Sequence, residues 1–213
     1  LAQGSQFGAT DNSWVGVLEK TMVETGAAIV AARCTLLERL NSTIAMGTGL
    51  FPSAHLQVIG ELDSWLSTMS AIEAEEKFSE TLLQSRCQDP NGRSPLVGPH
   101  RSDLLVSHLD KNLPADQCST GEQKSLLISI VLANTRLQSL ERGICPLLLL
   151  DEITAHLDME RREALFGEIR ELGVQTWMTG SDPNLFAPWG DFVQHFSISV
   201  EKVFESKLTP PIT

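Results

Sequence analysis

The stretch Leu147-Leu148-Leu149-Leu150-Asp151-Glu152 decides the fold. With Pro146 in front, the leucines read as a fully buried strand that delivers two adjacent acids to its C-terminal end. In a parallel sheet, ligands gather at that end. The first acid, Asp151, suits Mg²⁺, which takes a few carboxylates together with water and phosphate oxygens. The second, Glu152, suits a general base placed to orient a water for attack on a γ-phosphate. Taken alone, the run also reads as an apolar strand that happens to end in two acids.

On the C-terminal side, Leu165, Phe166, Ile169 and Leu172 form one face of a helix, with Asp158 near its start and Gly173 as its stop. Val174–Thr179 reads as a second strand, and strand, helix, strand with short connections predicts a parallel sheet with a right-handed crossover. On the N-terminal side, Ser125–Ala133 (SLLISIVLA) is apolar on nearly all sides, as in a helix buried within a domain, and Gly143 can end it. From about residue 95 onward the chain is therefore expected to be α/β.

Before residue 95 the period is helical. Trp14, Leu18, Met22, Ile29, Leu36 and Leu40 make a stripe, predicting a helix over 13–40, roughly 40 Å long at 1.5 Å per residue. Gly47, Gly49 and Pro52 break it, His55–Ile59 reads as a short strand, and Glu73–Cys87 as a charged helix. Gln88–Ser94 (QDPNGRS) is a dense turn cluster and reads as a linker. The expected organisation is a mainly helical arm over 1–94, an α/β lobe over 95–205 and a tail over 206–213. Trp14, Trp65, Trp177 and Trp189 are expected to be packing residues.

Composition narrows the function classes. The chain has 213 residues, 42% of them apolar, enough for a real core. It begins at Leu1, so a longer parent protein is expected. No apolar run is long enough to span a membrane and no signal-peptide layout opens the chain, which makes a cytoplasmic protein the expectation. Cys34, Cys87, Cys118 and Cys145 stand singly, without metal-ligand spacing to the histidines. The formal charge of −11 shows no basic face of the kind nucleic-acid binders carry, so any DNA contact is expected to be local or to lie elsewhere in a longer protein.

Two segments flank the acids at telling distances. Ahead of the buried helix lies Cys118-Ser119-Thr120-Gly121-Glu122-Gln123-Lys124, and just after the acids comes Ala155-His156-Leu157-Asp158. A Ser hydroxyl with backbone N–H groups at a helix N-terminus forms an anion site, although STGEQ also reads as a plain capping sequence, Ser119 with Glu122 three residues on. In this order and spacing the segments resemble ABC-type ATPases. The first is similar to their LSGGE or LSGGQ signature, with Cys118 for Leu and Thr120 for the first Gly. The second is similar to the D-loop, and Leu147–Glu152 to the acidic strand. A third segment, Gly98-Pro99-His100-Arg101-Ser102-Asp103-Leu104, resembles the GPHRDD segment of the RecF DNA-repair family. By itself it is also an ordinary Gly-Pro turn, and no catalytic role is carried onto His100 or Arg101.

The resemblance implies the C-terminal lobe of an ABC-type P-loop ATPase, preceded by a helical arm. It implies two ATP molecules sandwiched between two subunits. Ser119, Gly121 and Glu122 would contact the nucleotide held by the partner, while Asp151 (through Mg²⁺) and Glu152 (as general base) would serve the subunit's own; Asp158 would belong to the D-loop. It further implies ATP-dependent dimerisation on double-stranded DNA and gap junctions, with RecR and RecO as partners, to promote RecA loading in recombinational repair, replication and the SOS response. Two departures matter. No GxxxxGK[ST] occurs anywhere, so the chain alone is expected to be inactive. Where transporter relatives carry a switch His after the second strand, this chain has Ser181, which predicts slow hydrolysis; His156 reads as a solvent-facing loop residue. Another ABC ATPase, an SMC-type chromosome protein or a transporter subunit, is the alternative, but the arm is short and broken for the first, and LSGGQ and the switch His are missing for the second. A third reading is an ATP-dependent DNA clamp in which hydrolysis only times release.

Overall fold

The computed structural model describes residues 8–47, 49–88, 95–153, 157–198 and 203–206. In chain order the elements are α1 (Gly8–Ala45), β1 (Ala54–Ile59), α2 (Glu61–Thr68), α3 (Ala71–Gln88), β2 (Asp103–His108), β3 (Leu113–Pro114), α4 (Thr120–Arg142), β4 (Leu148–Leu150), α5 (Met159–Leu172), β5 (Thr176–Met178), β6 (His195–Ile198) and β7 (Val203–Ser206). Contacts gather them into two units, 1–39 with 56–106 and 40–55 with 107–213. Of the expected linker, Gln88 closes α3 and 89–94 lie outside the described residues, as does the tail beyond Ser206. Among the described residues no helix is long and apolar enough to cross a membrane.

α1, which belongs to the first unit as far as Arg39, is longer than its periodicity predicts, 38 residues, and it buries a different face. Trp14 is 64% exposed, and Leu18, Met22, Ile29 and Leu36 are exposed with it; only Leu40 of the expected stripe is buried. The buried side belongs to small residues, Val23, Ala27 and Val30, joined by Gly26. A Cβ on Gly26 would sit 2.9 Å from the Phe78 ring, so close approach to α3, not side-chain bulk, selects this face. Val23 and Val30 pack with Leu62, Trp65, Ala74, Phe78, Leu82 and Val97. Trp65 is thus a core residue, as expected, whereas Trp14 is not.

In the second unit the α/β pattern holds. β4 and β5 pair in parallel, with Leu148 opposite Thr176, Leu149 opposite Trp177 and Leu150 opposite Met178. The four leucines are not fully buried, however. Leu148 and Leu150 join Ile128 and Leu132 of α4 and Leu165, Phe166 and Ile169 of α5 in one cluster, while Leu149 stays 69% exposed. Strand side chains alternate between faces, and the cluster forms on one face only. On the other, Trp177 is exposed and stacks on Phe196 with ring centroids 6.4 Å apart; Trp189 packs on the core side, against Phe166 at 4.2 Å. α4 carries its buried stripe within SLLISIVLA, but Leu127 faces outward, so that helix is not apolar all round. Both helices stop on a left-handed glycine, Gly143 (φ 64°) and Gly173 (φ 61°), a conformation that suits a residue without Cβ.

Candidate functional site

The N-terminus of α4 is closed by a complete capping box. Ser119 Oγ accepts from the Glu122 N–H at 3.4 Å, and the Glu122 carboxylate accepts from the Ser119 N–H at 2.9 Å. The residues fold this way because Ser at the cap and Glu three positions on satisfy two backbone donors that the helix cannot. The base of the turn is fixed from below: Cys118 is buried and its carbonyl accepts from Gln123 Nε2 at 3.1 Å. Around the Gly121 Cα there is open space. The Glu122 carboxylate has a second partner, the Lys111 ammonium, from the turn between β2 and β3. That bond, and then those from the Ser119 backbone and hydroxyl, hold the Glu122 pKa down to about 2, while the Lys111 pKa is raised by the same contact.

The acid pair sits just past the C-terminal end of β4. Thr179, the residue after β5, reaches both acids: its hydroxyl donates to Asp151 Oδ1 and accepts from the Glu152 N–H at 3.0 Å. Its own N–H donates to the Leu150 carbonyl at 3.0 Å, continuing the sheet's hydrogen bonding beyond the strands. Glu152 adopts φ +49°, a left-handed conformation that a Glu rarely takes, at the point where the chain leaves the strand. Both acids are exposed. Neither forms an ion pair with a described cationic residue, and no group of three possible ligand side chains occurs among the described residues.

Asp158 caps α5, accepting from the Arg161 N–H at 2.8 Å and pairing with the Arg161 guanidinium at 3.5 Å. Ala155 and His156, the front of the expected D-loop, lie outside the described residues. Ser181 is exposed in the bend after β5.

This arrangement can be set against known proteins. No family model matches the chain. Curated relatives named "DNA replication and repair protein RecF" do: one from Brucella abortus (strain 2308) is 44% identical over 194 residues, covering 90% of this chain and 50% of its own length. Another from Mesorhizobium japonicum is 47% identical over 182 residues, 84% of this chain and 48% of the relative. Among solved structures, a RecF described as bound to ATP in the RecFOR pathway superposes with a TM-score of 0.66 at 21% identity, over 90% of this chain and 51% of that one. The chain is a RecF-family segment. It spans about half the length of the curated relatives it matches.

The RecF-like segment Gly98–Leu104 lies in the first unit and serves backbone geometry there. Pro99–Arg101 form a 3₁₀ turn; His100 Nε2 lies 3.0 Å and Arg101 Nε 3.3 Å from the Pro95 carbonyl, and Arg33 donates to the Pro99 carbonyl at 2.7 Å. Ser102 donates to the buried Asp63 carboxylate.

Sequence reasoning overlooked two residues of the site. Thr179 had a readable signal: in parallel register Leu150 faces Met178, so the next residues along, Asp151 and Thr179, fall side by side. Lys111 had none, because a lysine in a hairpin turn gives no sign of which carboxylate it will meet.

Proposed function

We propose that the chain is the C-terminal part of a RecF-like DNA replication and repair ATPase, in which ATP and Mg²⁺ are held between two copies. The reading is supported most by the joint placement, in one unit, of a helix N-terminus with open space at Gly121 and an acid pair at the end of a parallel strand. Ser119 and Gly121 contact the nucleotide of the second copy, and Glu122 shapes their turn as the capping partner of Ser119. Asp151 accepts one hydroxyl proton and has carboxylate oxygen left over, which fits Mg²⁺ completed by phosphate oxygens and water rather than a cage of protein ligands. Glu152 takes the proton from the attacking water, and Asp158 contributes the D-loop. Hydrolysis is slow, since Ser181 stands where transporter ATPases have His. The dimer closes on duplex DNA next to gaps in the cytoplasm and, with RecR and RecO, promotes RecA loading. The phosphate-binding loop belongs to the part of RecF that this segment does not span, so ATPase activity is expected of the full-length protein and not of the segment.

Two variants of the full-length protein test this together. Glu152→Gln keeps side-chain size and removes the base, so hydrolysis should fall by roughly 10²–10⁴ while the ATP-bound dimer accumulates. Ser119→Arg places a bulky cation where the partner's nucleotide docks, so ATP still binds but dimerisation and hydrolysis are both lost. Light scattering with and without ATP, alongside phosphate release, reads both. Normal ATP-driven dimerisation of Ser119→Arg would reduce Ser119 to a helix cap.

A further inference from the structure

The signature helix carries a charge problem of its own. Its N-terminus, which attracts anions through unpaired amides and the helix dipole, already holds one anion, the Glu122 carboxylate folded back onto the Ser119 N–H. A triphosphate approaching Ser119 and Gly121 would meet that negative charge at close range. Lys111 lies against it, delivered by the β2–β3 hairpin, which is pinned by the Ser107↔Pro114 and His108↔Leu113 pairs.

The surroundings leave Lys111 as the deciding cation. An open cleft of about 440 Å³ beside the cap is lined by His108, Asp110, Lys111, Glu122, Ser125 and Arg161, among others. Two of these are carboxylates. Arg161 is shared with Asp158 at 3.5 Å, and His108, 6% exposed, has its Nδ1 3.9 Å from Asp110. Without Lys111, Glu122 and Asp110 would face a single guanidinium already engaged by a third acid, and the entrance to the cap would turn net negative.

We propose that Lys111 is a positioning residue for the nucleotide presented by the second copy: by pairing with Glu122 it cancels the signature's own negative charge and frees the α4 N-terminus to accept phosphate. The inference rests on the reading of Ser119–Glu122 as the surface that meets a partner-bound nucleotide. It also explains why a Glu can stand at a signature position where Gln, an uncharged capping partner of the same length, serves as well.

The test uses the full-length protein in three forms, Lys111→Met, Glu122→Gln and the double variant, with Ser119→Arg as reference. Light scattering gives the ATP concentration at half-maximal dimerisation, and a fluorescent ATP analogue gives monomer binding. Lys111→Met should raise the ATP needed for dimerisation roughly two- to fivefold, the scale of one uncompensated charge at an exposed helix end, and leave monomer binding unchanged. Glu122→Gln should restore dimerisation in the Lys111→Met background, because no carboxylate is then left to neutralise. If Lys111→Met dimerises at the wild-type ATP concentration, or the double variant is as impaired as Lys111→Met, the proposal is overturned and Lys111 only supports the hairpin. If Ser119→Arg itself dimerises normally, the underlying reading fails instead.

Discussion

The second unit holds two acidic sites of opposite character. At the N-terminus of α4, Glu122 is fully engaged: it closes a capping box and is matched by Lys111, so the site is electrically settled within the chain. Past the end of β4, Asp151 and Glu152 are held only by one neutral hydroxyl, that of Thr179, and stand side by side with no cation paired to them among the described residues. Adjacent like charges are tolerated at an exposed strand end, but they gain most when a cation arrives. On the proposed reading, one site receives an anion and the other a cation. In the proposed dimer, a Mg²⁺–nucleotide placed between two copies would satisfy both.

The largest effect expected from altering this balance, after loss of the base itself, falls on Thr179. Its hydroxyl fixes Asp151 by donating to it and fixes the Glu152 backbone by accepting from it. Thr179→Val keeps shape and removes both bonds. Groups that orient a metal-binding carboxylate are typically worth 10–100-fold in metal affinity or activity. The full-length Thr179→Val protein should therefore need more Mg²⁺ for half-maximal hydrolysis and turn over about 10–100-fold more slowly at limiting Mg²⁺. A Mg²⁺ titration of phosphate release that superposes on wild type would show that the acids orient themselves.

How much of this was readable in the sequence depended on whether the signal was local. The capping box, the strand-borne acids and the glycine stops at Gly143 and Gly173 follow from neighbours within a few residues, the parallel pairing follows from the strand–helix–strand order, and all are present in the fold. The buried face of α1 does not show in the periodicity, because Trp14, Leu18, Met22, Ile29 and Leu36 advertise bulk, whereas the helix packs through Val23, Gly26, Ala27 and Val30, chosen by the approach of Phe78. PLLLL reads as buried on both faces, although only Leu148 and Leu150 join a core. Lys111 depended on a hairpin bringing residue 111 to residue 122, which no local pattern encodes.

A smaller effect is expected on stability at Glu152. Its φ of +49° costs roughly 1–2 kcal/mol in a residue with a Cβ, and glycine would relieve that at about 0.5–1 kcal/mol of added chain freedom. Glu152→Gly should thus raise the melting temperature of this chain by about 1–4 °C, while Glu152→Gln, with the same backbone demands, should leave it unchanged. Both abolish the proposed base, so stability and hydrolysis would move in opposite directions at one position only for the glycine variant. A melting temperature for Glu152→Gly at or below that of Glu152→Gln would mean the strain is absent in solution.

The smallest effect concerns the settled site and is read through pH. The Lys111 hydrogen bond, followed by those from the Ser119 backbone and hydroxyl, lowers the Glu122 pKa from its ordinary 4.5 to about 2. A carboxyl depressed in the folded state stabilises fully above its unfolded pKa, and that contribution disappears as pH falls through the folded value. The window is therefore about pH 4.5 down to about 2. Being solvent-exposed, the pair is also screened by salt, so its contribution is modest. Glu122→Gln retains a capping partner but not the charge. Its melting temperature should lie slightly below wild type near neutral pH, with the gap narrowing as pH drops through that window and shrinking in high salt. A gap that persisted undiminished to about pH 3 would mean that the difference lies in cap geometry, and that Lys111 adds no stability through its charge.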